Sequence, residues 1–147
     1  GGGVMLDLSH ELDYAQRLAG SLSVEHAVCK KVSDLEIDTD DLLLLSGKTS
    51  DGAYFHISLN YFTRKPMRQI FIDGKGISIH ADLITNTLSV MNSGDASDFS
   101  WSELEGDKTY ASQHRSILND DRSFVCSFNE GLETMRLIDQ IQSFAGS

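Results

Sequence analysis

Cysteine is scarce in this chain: two in 147 residues, Cys29 and Cys126, far apart and in neither CxxC nor Cys/His spacing. That excludes a disulfide framework and a cysteine-ligated zinc site, and suits reduced thiols, although two cysteines suffice for one bridge. Positive charge is short too, with 12 Lys and Arg against 22 Asp and Glu and a net charge of -10. Such a surface repels phosphate backbones, and only Arg64-Lys65-Pro66-Met67-Arg68 interrupts it, so no nucleic-acid partner is expected. No apolar run approaches the roughly 18 residues of a membrane span, and no charged-then-apolar leader is visible. No membrane is expected, and the cytoplasm is the expected compartment. GxGxxG, the P-loop and GxSxG are all missing, which excludes dinucleotide binding by a known glycine-rich fingerprint.

What remains is globular. Hydrophobic residues at 40% and charged residues at 23% are ordinary values, and a single domain over 1–147 can bury roughly 70% of its unfolded surface. There is no internal repeat, linker or low-complexity segment. The chain lacks an initiator Met, and a functional-looking segment stands at residue 1.

Residues 3–19 read as an amphipathic helix. At about 100° per residue, Val4, Leu8, Leu12, Ala15, Leu18 and Ala19 share one face, and Gly20 is placed as a stop. Asp7, His10 and Tyr14 gather on another side, flanked by Asp13 and Arg17. The period then falls to two, predicting strands near 22–32, 41–49, 53–62, 69–73, 76–81 and 83–91. Ser50-Asp51-Gly52 and Asp73-Gly74-Lys75-Gly76 read as hairpin turns, so neighbouring strands should be antiparallel. Ala53, Phe55, Ile57, Leu59 and Tyr61 alternate with Tyr54, His56, Ser58 and Asn60, giving one apolar sheet face and one mixed face suited to solvent or a subunit contact. Residues 92–104 lack a sustained period and read as a surface excursion. Helices are predicted over 107–119 and 129–144, the latter carrying Leu132, Met135, Ile138 and Ile141, widened by Leu137 and Phe144. The fold class is α+β, an α/β sandwich in which helices pack on one face of a large, open, mostly antiparallel mixed sheet.

An imidazole between two carboxylates can serve as general acid or base, because a carboxylate fixes its tautomer and favours the imidazolium. Asp7, His10 and Asp13 have that spacing. So does a solvated helical face with local ion pairs, which is the commoner reading of the spacing alone. His10-Glu11 is half of an HExxH zinc motif, but position 14 is tyrosine, so no metal is expected. Asp38-Thr39-Asp40-Asp41 lacks the glycine and distal glutamate of a calcium loop and reads as a solvated turn. Arg64, Lys65 and Arg68 are suited to a phosphate or carboxylate, or to charge balance at a strand end. Gly1-Gly2-Gly3 is a tag remnant, a flexible loop or a place of close backbone approach to a ligand.

Taken together, GGGVMLDLSHELDY, the hairpins in DGAYFHISLNYFTRKPMRQIFIDGKGISI and the ending NEGLETMRLIDQI resemble the C-terminal domain of the Gfo/Idh/MocA family, the glucose-fructose oxidoreductase and inositol dehydrogenase group. The resemblance spans nearly the whole chain. It implies a two-domain enzyme whose N-terminal Rossmann domain, absent from 1–147, binds NAD or NADP, with these residues binding substrate and forming oligomer contacts. It implies hydride transfer between the nicotinamide and a sugar, nucleotide-sugar or cyclitol hydroxyl, with no activity from these residues alone. His10 maps onto the family's active-site histidine and Asp7 onto the acid near it. Asp13, Tyr14, Tyr61, Arg64 and Arg68 are the candidate substrate-binding residues, and a homodimer through the open sheet face is the expected assembly. Many members count four positions from the acid to the histidine, whereas Asp7 to His10 is three. The alternative reading is a stand-alone binding or dimerisation module without redox chemistry.

Overall fold

A computed structural model of the chain describes residues 2–101, 106–121 and 125–145. In chain order the elements are α1 (Gly3–Asp7), α2 (Ser9–Ala19), β1 (Leu22–Lys30), β2 (Leu42–Thr49), β3 (Tyr54–Asn60), β4 (Gln69–Gly74), β5 (Ile77–Asp82), β6 (Thr87–Asn92), β7 (Asp95–Ser100), α3 (Gly106–Leu118) and α4 (Phe128–Ala145). They form two compact units, residues 1–62 with 126–147, and residues 63–125. The class is α+β as expected. The strands do not make one large mixed sheet, however: they divide into β1-β2-β3 and β4-β5-β6-β7, and every pairing is antiparallel. Hairpins this short allow no parallel crossover.

In the first unit β2 is central, and its side chains alternate between half-buried and buried. Leu43 and Leu45 meet Val4, Met5, Leu12, Leu22, Val24, Leu137, Ile138 and Ile141 in the core. Phe55, Ile57, Leu59 and Tyr61 add the apolar face of β3 to it, as their alternation requires. Gly47 stands opposite a bulge at Glu25 of β1, and a Cβ there would lie 2.0 Å from the Ser23 carbonyl oxygen, so only glycine fits. Helix α4 lies on β1 and α2. Its buried stripe is Thr134, Leu137, Ile138 and Ile141, narrower than predicted, because Leu132, Met135 and Phe144 remain at least a third exposed.

The helix predicted over 3–19 is broken. Leu8 has ψ of 23°, so α1 ends and α2 restarts there, away from the helical value near -42°. Gly20 stops α2 as expected, its N–H donating to the Gln16 carbonyl at 2.8 Å.

The second unit holds a meander of four strands and α3. Two expectations fail here. The strand predicted from 83 begins at Thr87, because Asp82 Oδ1 accepts the backbone N–H groups of Ile84 (2.9 Å) and Thr85 (3.0 Å) and turns the chain. Residues 95–100, read as part of a surface excursion, are β7, joined to β6 through Ser93-Gly94. Every residue of β7 is exposed, so nothing selects an apolar period. Trp101 follows β7 and donates its N–H to the Asn86 carbonyl at 3.0 Å, and 102–104 of that excursion lie outside the described residues.

Candidate functional site

Gly1 of the opening triplet lies outside the described residues, but Gly3 shows what the glycines permit. Gly3 has φ of 78°, and a Cβ there would sit 2.3 Å from Asp40 Oδ1. The Val4 N–H donates to the Asp40 carbonyl (3.0 Å) and the Met5 N–H to Asp40 Oδ2 (3.3 Å). The close approach is therefore to an acid of the same chain, which takes up amides that would otherwise face a ligand anion.

Of the acidic run read as a solvated turn, Asp38 is exposed, but Thr39 and Asp40 are half-buried and Asp41 is not solvated at all. Asp41 is fully buried and accepts the N–H groups of Val32 (2.7 Å) and Ser33 (3.0 Å) and the Ser33 hydroxyl, with Lys31 Nζ at 3.3 Å. Burial pushes its carboxyl up, but these donors together outweigh it and hold the group well below the usual range. Asp41 so anchors the loop between β1 and β2. Among the described residues no cluster of three or more His, Cys, Asp or Glu could hold a metal ion.

The break at Leu8 separates the two residues expected to carry chemistry. Asp7, on α1, accepts the Tyr61 hydroxyl at 2.7 Å, a contact across 54 residues that joins the opening segment to the end of β3. The Tyr61 hydroxyl is the main cause of a lowered Asp7 pKa. In turn burial, and then the Asp7 bond and charge, push the Tyr61 phenol up to about 12. His10, on α2, is exposed and pairs with neither Asp7 nor Asp13: its Nε2 lies 3.0 Å from Glu11 Oε1. Glu11 is buried, and its Oε2 accepts the Tyr14 hydroxyl at 2.5 Å. The structure thus makes two neighbouring polar groups from residues expected as one: Asp7 with Tyr61, and His10 with Glu11 and Tyr14.

Glu11, which the spacing of Asp7, His10 and Asp13 does not single out, carries a signal of its own in the sequence. On a 100° wheel it lies within the apolar stripe, between Leu18 and Ala15. An acid there must be buried, and a buried acid needs donors.

Asp13 turns toward α4. Its Oδ1 accepts the Thr134 hydroxyl at 3.2 Å, and the Cys126 Sγ lies 4.0 Å away. Asp13 and Cys126, with Arg17, Glu130 and Glu133, line a groove of about 340 Å³ between α2 and α4. Burial, reinforced by the charges of Asp13 and Glu130, raises the Cys126 thiol. Cys29 and Cys126 are both free thiols. Arg64 and Arg68 belong to the second unit: Arg64 is exposed, while Arg68 is half-buried, its carbonyl accepting the Leu83 N–H at 2.8 Å.

The arrangement can hold an exposed imidazole against a buried carboxylate and, beside it, a carboxylate against a phenol. That is equipment for moving a proton to or from a hydroxyl. Solved structures with this fold are Gfo/Idh/MocA-type oxidoreductases. UDP-N-acetylglucosamine 3-dehydrogenase GnnA from Acidithiobacillus ferrooxidans superposes with a TM-score of 0.80 at 19% identity, over 96% of this chain and 46% of that one. The WlbA dehydrogenase from Bordetella pertussis, in complex with NADH and UDP-GlcNAcA, gives 0.69 at 18% over 98% and 43%. A variant of a 3-ketoreductase from Actinomadura kijaniata, in complex with TDP-benzene and NADP, gives 0.76 at 15% over 97% and 48%. At these identities the likeness is one of fold, and the chain spans about half the length of the structures it matches. No protein-family model matches the sequence, and no curated protein matches it.

Proposed function

We propose that residues 1–147 are the C-terminal, substrate-binding part of a longer NAD(P)-dependent oxidoreductase acting on a hydroxyl of a sugar, nucleotide sugar or cyclitol. The observation that carries this reading is the opening segment. In a fold whose solved examples include nucleotide-sugar dehydrogenases, it presents an exposed imidazole on a buried carboxylate and, beside it, the Asp7–Tyr61 pair. His10 takes the proton of the substrate hydroxyl or returns it, and Asp7, held by Tyr61, accepts a hydrogen bond from a neighbouring substrate hydroxyl. Tyr14 flanks the substrate from α2, while Asp13, turned toward α4, is proposed as a substrate contact only from the groove it lines there. Arg64 and Arg68 are a separate proposal, as carriers of charge for an anionic ligand group.

Asp40 already takes the Val4 and Met5 amides at the start of α1, which supports placing the dinucleotide on residues outside 1–147. When bound to the full enzyme, NAD or NADP supplies hydride chemistry from residues outside 1–147, and the 147 residues alone should bind substrate without turnover. The two free thiols suit a cytoplasmic setting. Self-association through an open sheet face is part of the same proposal, supported by the exposed Tyr54 of β3 and by Ile72, Ile77 and Phe99 on one face of the second sheet.

The test uses the full-length protein with NAD or NADP and a panel of UDP- and TDP-sugars, following reduced nicotinamide. His10→Ala should lower turnover by roughly 10²–10⁴-fold with cofactor affinity nearly intact. Unchanged turnover removes His10 from the mechanism. Sugar binding without turnover under any condition would instead support a binding module.

A further inference from the structure

We infer that His26 and His56 form a two-imidazole site for a divalent transition-metal cation on the outer face of the first sheet. Their role does not depend on the proposed oxidoreductase reading. His26 of β1, Ser46 of β2 and His56 of β3 stand directly opposite one another in register, so the two histidines share one face with a single small residue between them. Two successive antiparallel pairs set their Cα atoms about 10 Å apart. Imidazoles standing on one face can close that gap on an ion held about 2.0–2.1 Å from each nitrogen.

The sheet is built so that His26 reaches that row. Val24 and His26 are two positions apart, and in a regular strand they would face the same way. Val24 lies in the core at 4% exposure, so an unbroken β1 would turn His26 inward as well. The bulge at Glu25 shifts the register between them, which brings His26 out opposite Ser46 while Ala27 and Cys29 pack against the core. Gly47, where no Cβ fits, is what lets the bulge form.

Both imidazoles are open to a ligand. Each is exposed, and neither has a hydrogen bond, ion pair or ring contact among the described residues. Lys48, two positions along β2 on the same face, is paired with Glu25 at 3.1 Å and lies 5.1 Å from the centre of the Tyr54 ring, so its charge is taken up one row away. Imidazole nitrogen suits zinc, nickel and copper, whereas magnesium and calcium select oxygen. No third His, Cys, Asp or Glu joins the pair among the described residues, so water completes the coordination. The net charge of -10 favours a cation at this surface over an anion.

Zinc is the probe, added to the ¹⁵N-labelled chain at mildly alkaline pH, where imidazole is neutral and able to bind it. The ring signals are assigned by their loss in His26→Ala, His56→Ala and His114→Ala; all three side chains are exposed, so the variants should keep the fold. Zinc should move the His26 and His56 rings together, with one common midpoint, and before it moves His114, an exposed imidazole on α3. In His56→Ala the His26 midpoint should rise by at least the roughly 10- to 100-fold that loss of an outer-shell partner costs a metal site, and His26→Ala should do the same to His56. Rings that titrate separately, or a His26 midpoint unmoved by His56→Ala, overturn the inference and leave each histidine a single surface ligand. Equal midpoints for His26, His56 and His114 overturn it too, as adventitious binding only.

Discussion

The two compact units use one building block, an antiparallel sheet of short hairpins, and bury it very differently. In the first, β2 sends alternate side chains into a core closed by α1, α2 and α4, and every fully buried hydrophobic residue described belongs to this unit. In the second, Ser116 is the only buried residue among those described, and Phe71, Ile72, Met91 and Phe99 each stay more than two-fifths exposed. A closed core holds side chains in one rotamer, and chemistry needs fixed geometry. The Asp7–Tyr61, His10–Glu11 and Glu11–Tyr14 contacts lie within the closed unit. The open unit instead offers area, which is what association needs.

The difference can be broken most forcefully by cutting one apolar side chain in each unit. Leu43→Ala empties a fully buried site and should cost about 2–5 kcal/mol. Ile72→Ala, at a residue 45% exposed, should cost less than about 1 kcal/mol. Urea midpoints of the two variants measure the gap; equal losses would mean that the sheets are buried alike. If the Ile72 variant's loss grows with protein concentration, the open face is covered by a second copy, which sharpens the comparison.

The same contrast explains what the sequence disclosed. Where one face is buried, alternation is enforced, and β1, β2 and β3 fall within two residues of the strands read from it. Where both faces are exposed, as in β7, Asp95, Ser97, Asp98 and Ser100 meet no such demand and the strand was invisible. The break at Leu8 carries no proline or glycine to announce it, so Asp7 and His10 were placed on one wheel. The Asp7–Tyr61 and Asp13–Thr134 bonds join residues 54 and 121 positions apart, which no local period can reveal. Glu11, by contrast, is legible as an acid in an apolar stripe.

A smaller effect should come from Asp41, whose charge holds together the loop entering β2. Its folded pKa is depressed, so its contribution is present above the unfolded carboxyl value near 3.9 and is lost as pH falls below it. Asp41→Asn should lower Tm at neutral pH by roughly 5–10 °C, and the gap to the parent chain should begin to narrow below about pH 4 and go on narrowing as pH falls further. A gap as wide at pH 3 as at pH 7 would show that the shape of Asp41, and not its charge, organises the loop.

The smallest effect on stability should come from Tyr61→Phe, and it bears most directly on the site. The ring keeps its place beside the core while the hydroxyl is lost, and Asp7 is exposed, so water replaces the missing donor and Tm should scarcely move. The Asp7 carboxyl should titrate higher, toward its ordinary value, because the Tyr61 hydroxyl is the leading cause of its depression. Carbon-detected titration of the carboxyl in the two proteins reads this directly. An unmoved midpoint would leave Asp7 tied to α1 alone. The closed unit would then hold Glu11 beside His10 and leave the neighbouring acid loose, so rigidity of the core would not by itself extend to every group at its edge.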